Sequence, residues 1–360
     1  MILLKRIYLV ALAFLLSFVS AQAEETAEKK DGQVDVKEIV LGHMSDDYSW
    51  HITTWNGHHV SIPLLVIVKG EQSGWHIFSS SRLQHGDHYE GFYIDGQRGG
   101  KIYEEVAGQA EPVRPWDFSI TKNVLQIWIV AALMLFIFIG AARWYRKRTP
   151  ADDAPGGFVG LVEMFVMMVN DDIIKPSIGE KHYRPYVPYL MTCFFFIFIT
   201  NLLGLLPIFP GGANVTGNIT ITFFLAFCTF LAVNIFGNRE YWKEIFWPDV
   251  PTWLKVPVPM MPVIELFGIF TKPFALMVRL FANMMGGHAI ILSLTCVIFI
   301  TCQIGAAIGS SLSLVSFILM IFMNCLELLV AFIQAYVFTI LSAVFIGLAH
   351  PEHHAAHAKH

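Results

Sequence analysis

The chain has 360 residues, of which 55% are hydrophobic and only 14% are charged. Soluble domains carry about 25% charged residues, so this composition argues against a soluble protein. The formal net charge of -4 is too small to indicate a nucleic-acid partner. The apolar residues lie in runs long enough to span a bilayer, which takes about 20 residues in a helix. The sequence therefore predicts a multi-pass membrane protein.

The first 23 residues have the pattern of a secretory signal peptide. Lys5 and Arg6 precede a short apolar core at Ile7–Val19, and an A-x-A cleavage site ends at Ala23. A signal anchor that stays in the membrane is the alternative, but the short core and the well-placed small residues favour cleavage. The mature N-terminus is therefore expected outside the cytoplasm.

Residues 24–115 are polar and are predicted to form a small β-rich exported extension. Ile62–Val68 is β-branched and apolar, and Phe92–Ile94 and Lys101–Tyr103 flank a glycine-rich turn, as in a hairpin. The segment contains no cysteine, so no disulfide framework holds it together. Surface histidines are favoured over a metal site because no known ligand spacing appears among His43, His51, His58, His59, His76, His85 and His88.

The membrane domain is predicted at residues 116–349 as an all-α polytopic fold with five membrane helices. An amphipathic helix at 157–174 is expected at the inner surface. The last two membrane helices have about 40 residues each, or about 60 Å at 1.5 Å per residue. That is twice the hydrocarbon thickness, so these helices must be long and tilted, or broken. The predicted spans are 123–144, 186–207, 216–236, 263–303 and 310–348.

Basic residues assign an orientation to these helices. The first helix ends in Arg143, Arg146, Lys147 and Arg148, the loop 208–215 has no Lys or Arg, and the following loop contains three basic residues. This alternation satisfies the positive-inside rule for one topology only. It places the His-rich tail, residues 350–360, in the cytoplasm, where a disordered tail is favoured over a metal-binding one.

Arg279 lies deep in an apolar helix. A buried arginine costs about 2.5–3.5 kcal/mol on translocon scales, and it stays protonated at any accessible pH. A snorkelling or structural arginine is the alternative, but Arg279 is far from the helix ends. Glu265 is 14 residues earlier, about 40° away around the helix and about 21 Å along it, and Asn283 is one turn further on the same face.

A second group of polar residues occupies the last two helices. Asn324, Glu327 and Gln334 fall within an arc of about 80°. His288, nine residues after Arg279, points away from it in an ideal helix and can pair with Glu327 as a proton relay. A purely structural hydrogen bond between the two helices is the alternative reading of this pair.

Three segments resemble a known family. Arg279-Leu280-Phe281-Ala282-Asn283-Met284, together with Asn201–Pro207 and Gln334–Phe338, is similar to the signature of subunit a of rotary F-type ATP synthases. The resemblance covers roughly residues 118–348. Many bacterial members carry the acid on the fourth helix and the histidine on the fifth, whereas His288 and Glu327 here are exchanged, as in the mitochondrial arrangement.

The resemblance implies a non-catalytic stator subunit of the proton channel in a bacterial inner membrane. Arg279 would face the essential carboxylate of the c-subunit ring. The outer half-channel would be lined by Asn283, His288, Glu327 and Gln334, and Glu265 would lie near the cytoplasmic half-channel. Asn324 is assigned to the proton path from its place on the polar face of the last helix. Other implied partners are the b-subunit stator stalk, the remaining synthase subunits and the lipid bilayer; no cofactor is implied.

Two other classes of protein predict different features. A secondary transporter that binds an anionic substrate through Arg279 predicts internal repeats with broken helices in both halves, and no such repeat is visible. An intramembrane hydrolase needs a Ser/His or metal-ligand pair inside the membrane, and His288 is the only intramembrane histidine.

The predicted topology can be tested by cysteine labelling. With the five native cysteines replaced, Lys30→Cys should react with an impermeant thiol reagent only from outside. Ala355→Cys should react only from the cytoplasm, because an odd number of spans separates the two positions. Labelling of position 30 from the cytoplasmic side alone would exclude this orientation.

Overall fold

The computed structural model describes residues 45–55, 58–71, 73–95, 99–106, 112–148, 155–206, 211–246, 260–304 and 306–349. The predicted signal peptide and the His-rich tail lie outside the described residues. The chain divides into two compact units. One contains the chain up to Val130, Leu202–Val215 and Met285–Leu328; the other contains Ala131–Asn201, Thr216–Met284 and the chain from Leu329 onward.

The part of the first unit before the membrane helices is rich in β-strands, as predicted. An antiparallel pair joins β1 and β2, a second pair joins β5 and β6, and a three-stranded sheet has the order β4-β3-β7. Alternation along β3 buries Val66 and Val68 completely, which is the period-2 pattern of a strand with one core face. The strands are Ser49–Trp55 (β1), His58–Pro63 (β2), Leu65–Gly70 (β3), Gly74–Ser79 (β4), Phe92–Asp95 (β5), Lys101–Glu104 (β6) and Trp116–Asp117 (β7).

The expected hairpin is confirmed, with Phe92 paired to Glu104 and Asp95 to Lys101. The strand signal over Ile62–Val68 is confirmed, but these residues belong to two strands, β2 and β3, which are separated at Leu64. The Leu64 N–H donates to the Ser80 hydroxyl at 3.0 Å and to the Tyr48 carbonyl, just before β1, at 3.3 Å. Pro63, just before it, has no N–H to donate to a ladder, so the chain changes sheets at this point.

Seven α-helices of eight or more residues follow among the described residues, and five of them are long and apolar enough to cross a membrane. They are α1 (Lys122–Arg146), α2 (Gly157–Met167), α3 (Val187–Gly204), α4 (Ile219–Phe236), α5 (Arg239–Phe246), α6 (Met260–Ile304) and α7 (Ala306–Leu348). The predicted spans agree with α1, α3, α4, α6 and α7 to within a few residues. After α2 the chain continues as a π-helical segment, Met168–Ile174, and a short α-helix, Lys175–Ile178.

The last two helices are continuous. Helix α6 has 45 residues and passes through Pro273 without a break, and α7 has 43 residues. At 1.5 Å per residue these lengths correspond to roughly 65 Å each. Of the two alternatives predicted for these segments, breakage is therefore ruled out, and helices this much longer than the hydrocarbon layer must tilt to cross it.

The described part of the chain before α1, which contains strands β1 to β7, is called the β domain. A buried carboxylate stabilises it. Glu104 is only 4% exposed, and its carboxylate accepts hydrogen bonds from the Glu71 N–H at 2.8 Å and the Ser73 hydroxyl at 2.7 Å. These two bonds hold the turn between β3 and β4. The side chain of the neighbouring Glu105, by contrast, is exposed, and its ion-pair contact among the described residues is a long one of 3.6 Å to His88.

Glu104→Ala should destabilise the β domain by about 1–3 kcal/mol, because the substitution leaves two donors without an acceptor. The measurement is hydrogen exchange of the β3 and β4 amides in the full-length protein, where protection should fall about tenfold or more. Glu105→Ala is the matched control and should change protection little, since exposed pairs contribute little. Equal effects of the two substitutions would contradict this assignment.

Candidate functional site

His288 of α6 and Glu327 of α7 meet inside the first unit. The imidazole Nδ1 lies 2.6 Å from the carboxylate Oε1, and the two side chains are 10% and 4% exposed. On the other side of the ring, Nε2 lies 3.4 Å from the carbonyl oxygen of Gly204. The sequence predicted that these two side chains can pair, and the structure places them in contact.

The contact joins an imidazole to a carboxyl group, two groups that can exchange a proton. The ring can donate Nε2–H to the Gly204 carbonyl while Nδ1 faces the carboxyl group. Nδ1 and Oε1 are in close contact but are not aligned as a hydrogen bond, so a proton can pass between them once the carboxyl group or the ring turns. An imidazole and a carboxylate in this arrangement can take up and pass on one proton.

Gly287 is what allows the approach. A Cβ atom at this position would lie 2.9 Å from Oε1 of Glu327 and 3.2 Å from its carboxyl carbon. Both distances are shorter than ordinary van der Waals contact. A side chain at position 287 would therefore displace the carboxylate from the histidine beside it.

Arg279 has a different environment. It lies in the second unit, exposed on the surface of α6, as does Asn283 one turn later. Among the described residues no carboxylate lies within ion-pairing distance of its guanidinium. The exposed residues a turn on either side, Ala275 and Ala282, are small, which is typical of membrane helix surfaces that another helix approaches closely.

The other predicted residues are distributed between the two units. Gln334 is buried in the second unit, with 5% of its surface exposed. Asn324, in the first, donates its side-chain N–H to the carbonyl of Met320, 2.9 Å away in its own helix. Glu265 is partly buried near Tyr241, whose pKa is raised by burial and further by the Glu265 charge.

Some polar contacts were missed by sequence reasoning. Asn201, quoted only as part of a motif, accepts a hydrogen bond from the Thr216 hydroxyl at 2.7 Å and donates to the Ala331 carbonyl at 3.4 Å. Its one signal in the sequence is that a polar residue ends an otherwise apolar span. Gly204, in the same motif, contributes a backbone carbonyl, for which the sequence offers no signal.

A small cavity of about 20 Å³, lined mostly by apolar residues with a few polar ones, lies in the second unit. Its walls include Asn234, Tyr241 and Lys272, and the Tyr241 hydroxyl donates to the Asn234 side-chain oxygen at 3.5 Å. The volume is sufficient for one water molecule. Neither Tyr241 nor Asn234 was singled out in the sequence.

These features define a polytopic membrane protein with ionisable side chains inside its membrane domain. The family described as ATP synthase A chain matches residues 124–347. ATP synthase subunit a 2 of Chlorobaculum tepidum is 43% identical over 260 residues, covering 70% of this chain and 68% of that protein. ATP synthase subunit a of Chlorobium phaeobacteroides is 42% identical over 254 residues, covering 68% and 70%. That of Myxococcus xanthus is 40% identical over 249 residues, covering 67% and 77%.

The chain therefore belongs to the ATP synthase subunit a family, and the predicted resemblance is confirmed. The β-rich segment is similar to a different family, described as a domain of unknown function, which matches residues 39–118. The two matched segments do not overlap, and they lie on either side of the start of α1.

A double-mutant cycle tests whether His288 and Glu327 work as one unit. His288→Ala and Glu327→Ala should each lower proton transport, and the double variant should transport about as well as the worse single one. The expected coupling is about 0.5–3 kcal/mol, the range for groups in direct contact. The control cycle pairs His288→Ala with Thr339→Ala, whose hydroxyl bonds to Ala335 in its own helix, and should be additive. Additive losses in the first cycle would argue against a shared role.

Proposed function

We propose that this chain is the stator subunit of the proton channel in the membrane sector of a rotary ATP synthase. It offers two offset half-channels, and Arg279 faces the carboxylate of the c-subunit ring between them. Ion flow is thereby coupled to rotation of the ring. The family membership supports the general role as a stator subunit. The environment of Arg279 is the single observation that supports its pairing with the ring carboxylate.

Arg279 is a permanent cation in an apolar helix, with no counter-charge among the described residues. A charge at this depth costs about 2.5–3.5 kcal/mol unless an anion offsets it. The small residues Ala275 and Ala282 beside it leave room for another helix. A ring helix bearing an ionised carboxylate satisfies both conditions, because it supplies the counter-charge and packs closely.

The outer half-channel, in this proposal, includes Asn283, His288, Asn324, Glu327 and Gln334. The His288–Glu327 contact is its proton-transferring element, since one proton can lie on either side chain. The buried amide of Gln334 and the exposed amide of Asn283 offer both donors and acceptors to water or to the ring carboxylate.

The cytoplasmic half-channel is assigned to the surroundings of Glu265. Its charge acts on Tyr241, which lines the water-sized cavity with Asn234 and Lys272. A carboxylate, a phenol, an amide and an ammonium group gathered near one cavity provide a hydrated place into which a proton can be released.

In the proposed mechanism, the only covalent bonds that form or break are those that hold the transported proton. A proton from outside passes along the His288–Glu327 pair and neutralises a ring carboxylate, which the ring then carries into lipid. A carboxylate returning to Arg279 is favoured in its ionised form by the opposite charge, so it gives up its proton to the cytoplasmic half-channel. The same positive charge repels protons and prevents direct leakage between the two half-channels.

The proposed setting follows from the same assignment. The chain lies in a bacterial inner membrane, with its mature N-terminus outside and its C-terminus in the cytoplasm. Its partners are the c-subunit ring, the b-subunit stalk, the other synthase subunits and the surrounding lipid. ATP chemistry belongs to other subunits.

Arg279→Ala should abolish coupled ATP synthesis and ATP-driven pumping without preventing assembly, while passive proton leak persists or rises. Arg279→Lys should fail as well, because the shorter side chain loses the planar fork and a desolvated lysine can deprotonate. The measurements are proton flux and ATP synthesis in reconstituted vesicles. Arg146→Gln, at the exposed end of α1, is the control and should retain both activities. Normal coupled synthesis by Arg279→Ala would refute the proposal.

A further inference from the structure

Helix α1 has a polar buried face, although it is long and apolar enough to span a membrane. Its buried residues are Lys122, Asn123, Gln126 and Val130. They are spaced so that all four lie on one side of the helix, and three of them are polar. A polar stripe on a membrane helix needs hydrogen-bonding partners or water, because hydrocarbon provides neither.

Gln126 lies at the centre of this stripe and is 0% exposed. Its side-chain oxygen accepts a hydrogen bond from the Ala213 N–H at 2.9 Å. Its Nε2 is also fully buried, and none of the described residues accepts a hydrogen bond from it. A buried amide group with two free protons is the kind of group that an internal water molecule normally satisfies.

From Gln126 a series of contacts, of which the middle one is packing and the others are polar, leads to the His288–Glu327 pair. Ala213, bonded to Gln126, packs against Gly204, since a Cβ atom at position 204 would lie 3.3 Å from the Ala213 carbonyl oxygen. The Gly204 carbonyl oxygen is in turn 3.4 Å from Nε2 of His288. Each step of this route lies within the first unit.

The contacts also lead outward, into the β domain. The Asp46 carboxylate accepts a hydrogen bond from the Asn123 N–H at 3.1 Å, and the Asp47 carbonyl accepts one from the Lys122 N–H at 3.0 Å. Burial raises the pKa of the Asp47 carboxyl, and the nearby Lys122 charge opposes that shift. Two carboxylates of the β domain thus lie over the start of α1, one turn from Gln126.

We propose that the buried face of α1 formed by Lys122, Asn123 and Gln126 is a wall of the outer proton path, with a water molecule held at Gln126 and with Asp46 and Asp47 at its mouth. This inference rests on the proposed function and extends it. It assigns the β domain a place on the route by which protons reach His288 and Glu327, and it adds the first membrane helix to the channel wall.

The test is whether water reaches this face in the assembled synthase. With the native cysteines replaced, Gln126→Cys and Asn123→Cys are each introduced, and ATP-driven proton pumping is measured before and after addition of Ag⁺. Silver ions travel through water and block a channel by binding its thiols. Pumping by both variants should fall severalfold. Phe136→Cys, 79% exposed on the apolar side of α1, should be unaffected.

Asn123→Cys is included in case Gln126→Cys disturbs folding. Its contact with Asp46 uses the backbone N–H, which the substitution leaves in place. If Gln126→Cys does not assemble, Asn123→Cys alone decides the question. Pumping that is insensitive to Ag⁺ in every assembled α1 variant would overturn the inference.

Gln334→Cys separates this inference from the proposed function. If Ag⁺ blocks Gln334→Cys but neither α1 variant, the outer path exists and avoids α1, so only this inference is wrong. Asp47→Asn tests the mouth in the same assay without Ag⁺. It should slow ATP synthesis driven by an outside-acid gradient about twofold or more, and an unchanged rate would remove the β domain from the path.

Discussion

The contact between His288 and Glu327 constrains α6 and α7 where both lie in the first unit. A carboxylate or an imidazole alone in an apolar interior is costly, so each side chain requires the other within hydrogen-bonding distance. A separation of 2.6 Å is reached only because Gly287 leaves space for the carboxylate. The backbone carbonyl of Gly204 then occupies the remaining nitrogen of the ring. One polar contact thereby determines which residue types are possible at the positions around it.

Buried polar side chains of the second unit satisfy one another in a similar way. The Tyr189 hydroxyl lies 2.9 Å from that of Thr229, which in turn lies 3.3 Å from the Ser342 hydroxyl. Arg279 departs from this arrangement, since the described part of the chain provides no anion for it. A unit that presents an arginine on its surface without a counter-charge among the described residues is suited to a partner that brings a carboxylate. The proposed c-subunit ring is such a partner.

The β domain is joined to the membrane domain without a flexible linker. After β7 the chain continues to bond to β3, through Phe118 N–H to Ile67 at 2.9 Å and Ile120 N–H to Leu65 at 2.9 Å. Helix α1 begins two residues later, at Lys122. Because hydrogen bonds extend up to the first turn of the helix, the β domain and the first turn of α1 are held as one structure. This attachment is what places Asp46 and Asp47 over the polar face of α1.

The sequence alone was sufficient to predict the membrane helices, because hydrocarbon requires long apolar runs whatever their neighbours are. It was also sufficient to single out Arg279, since a charge in such a run is exceptional, and to suggest that His288 and Glu327 pair. The division of the expected strand at Leu64 could not be predicted, because it depends on a hydrogen bond to Ser80. Likewise, the contacts of Gln126 with Ala213 and of His288 with Gly204 join residues 87 and 84 positions apart. Local pattern carries no information about which distant backbone group meets a polar side chain; only the packing of the helices decides that.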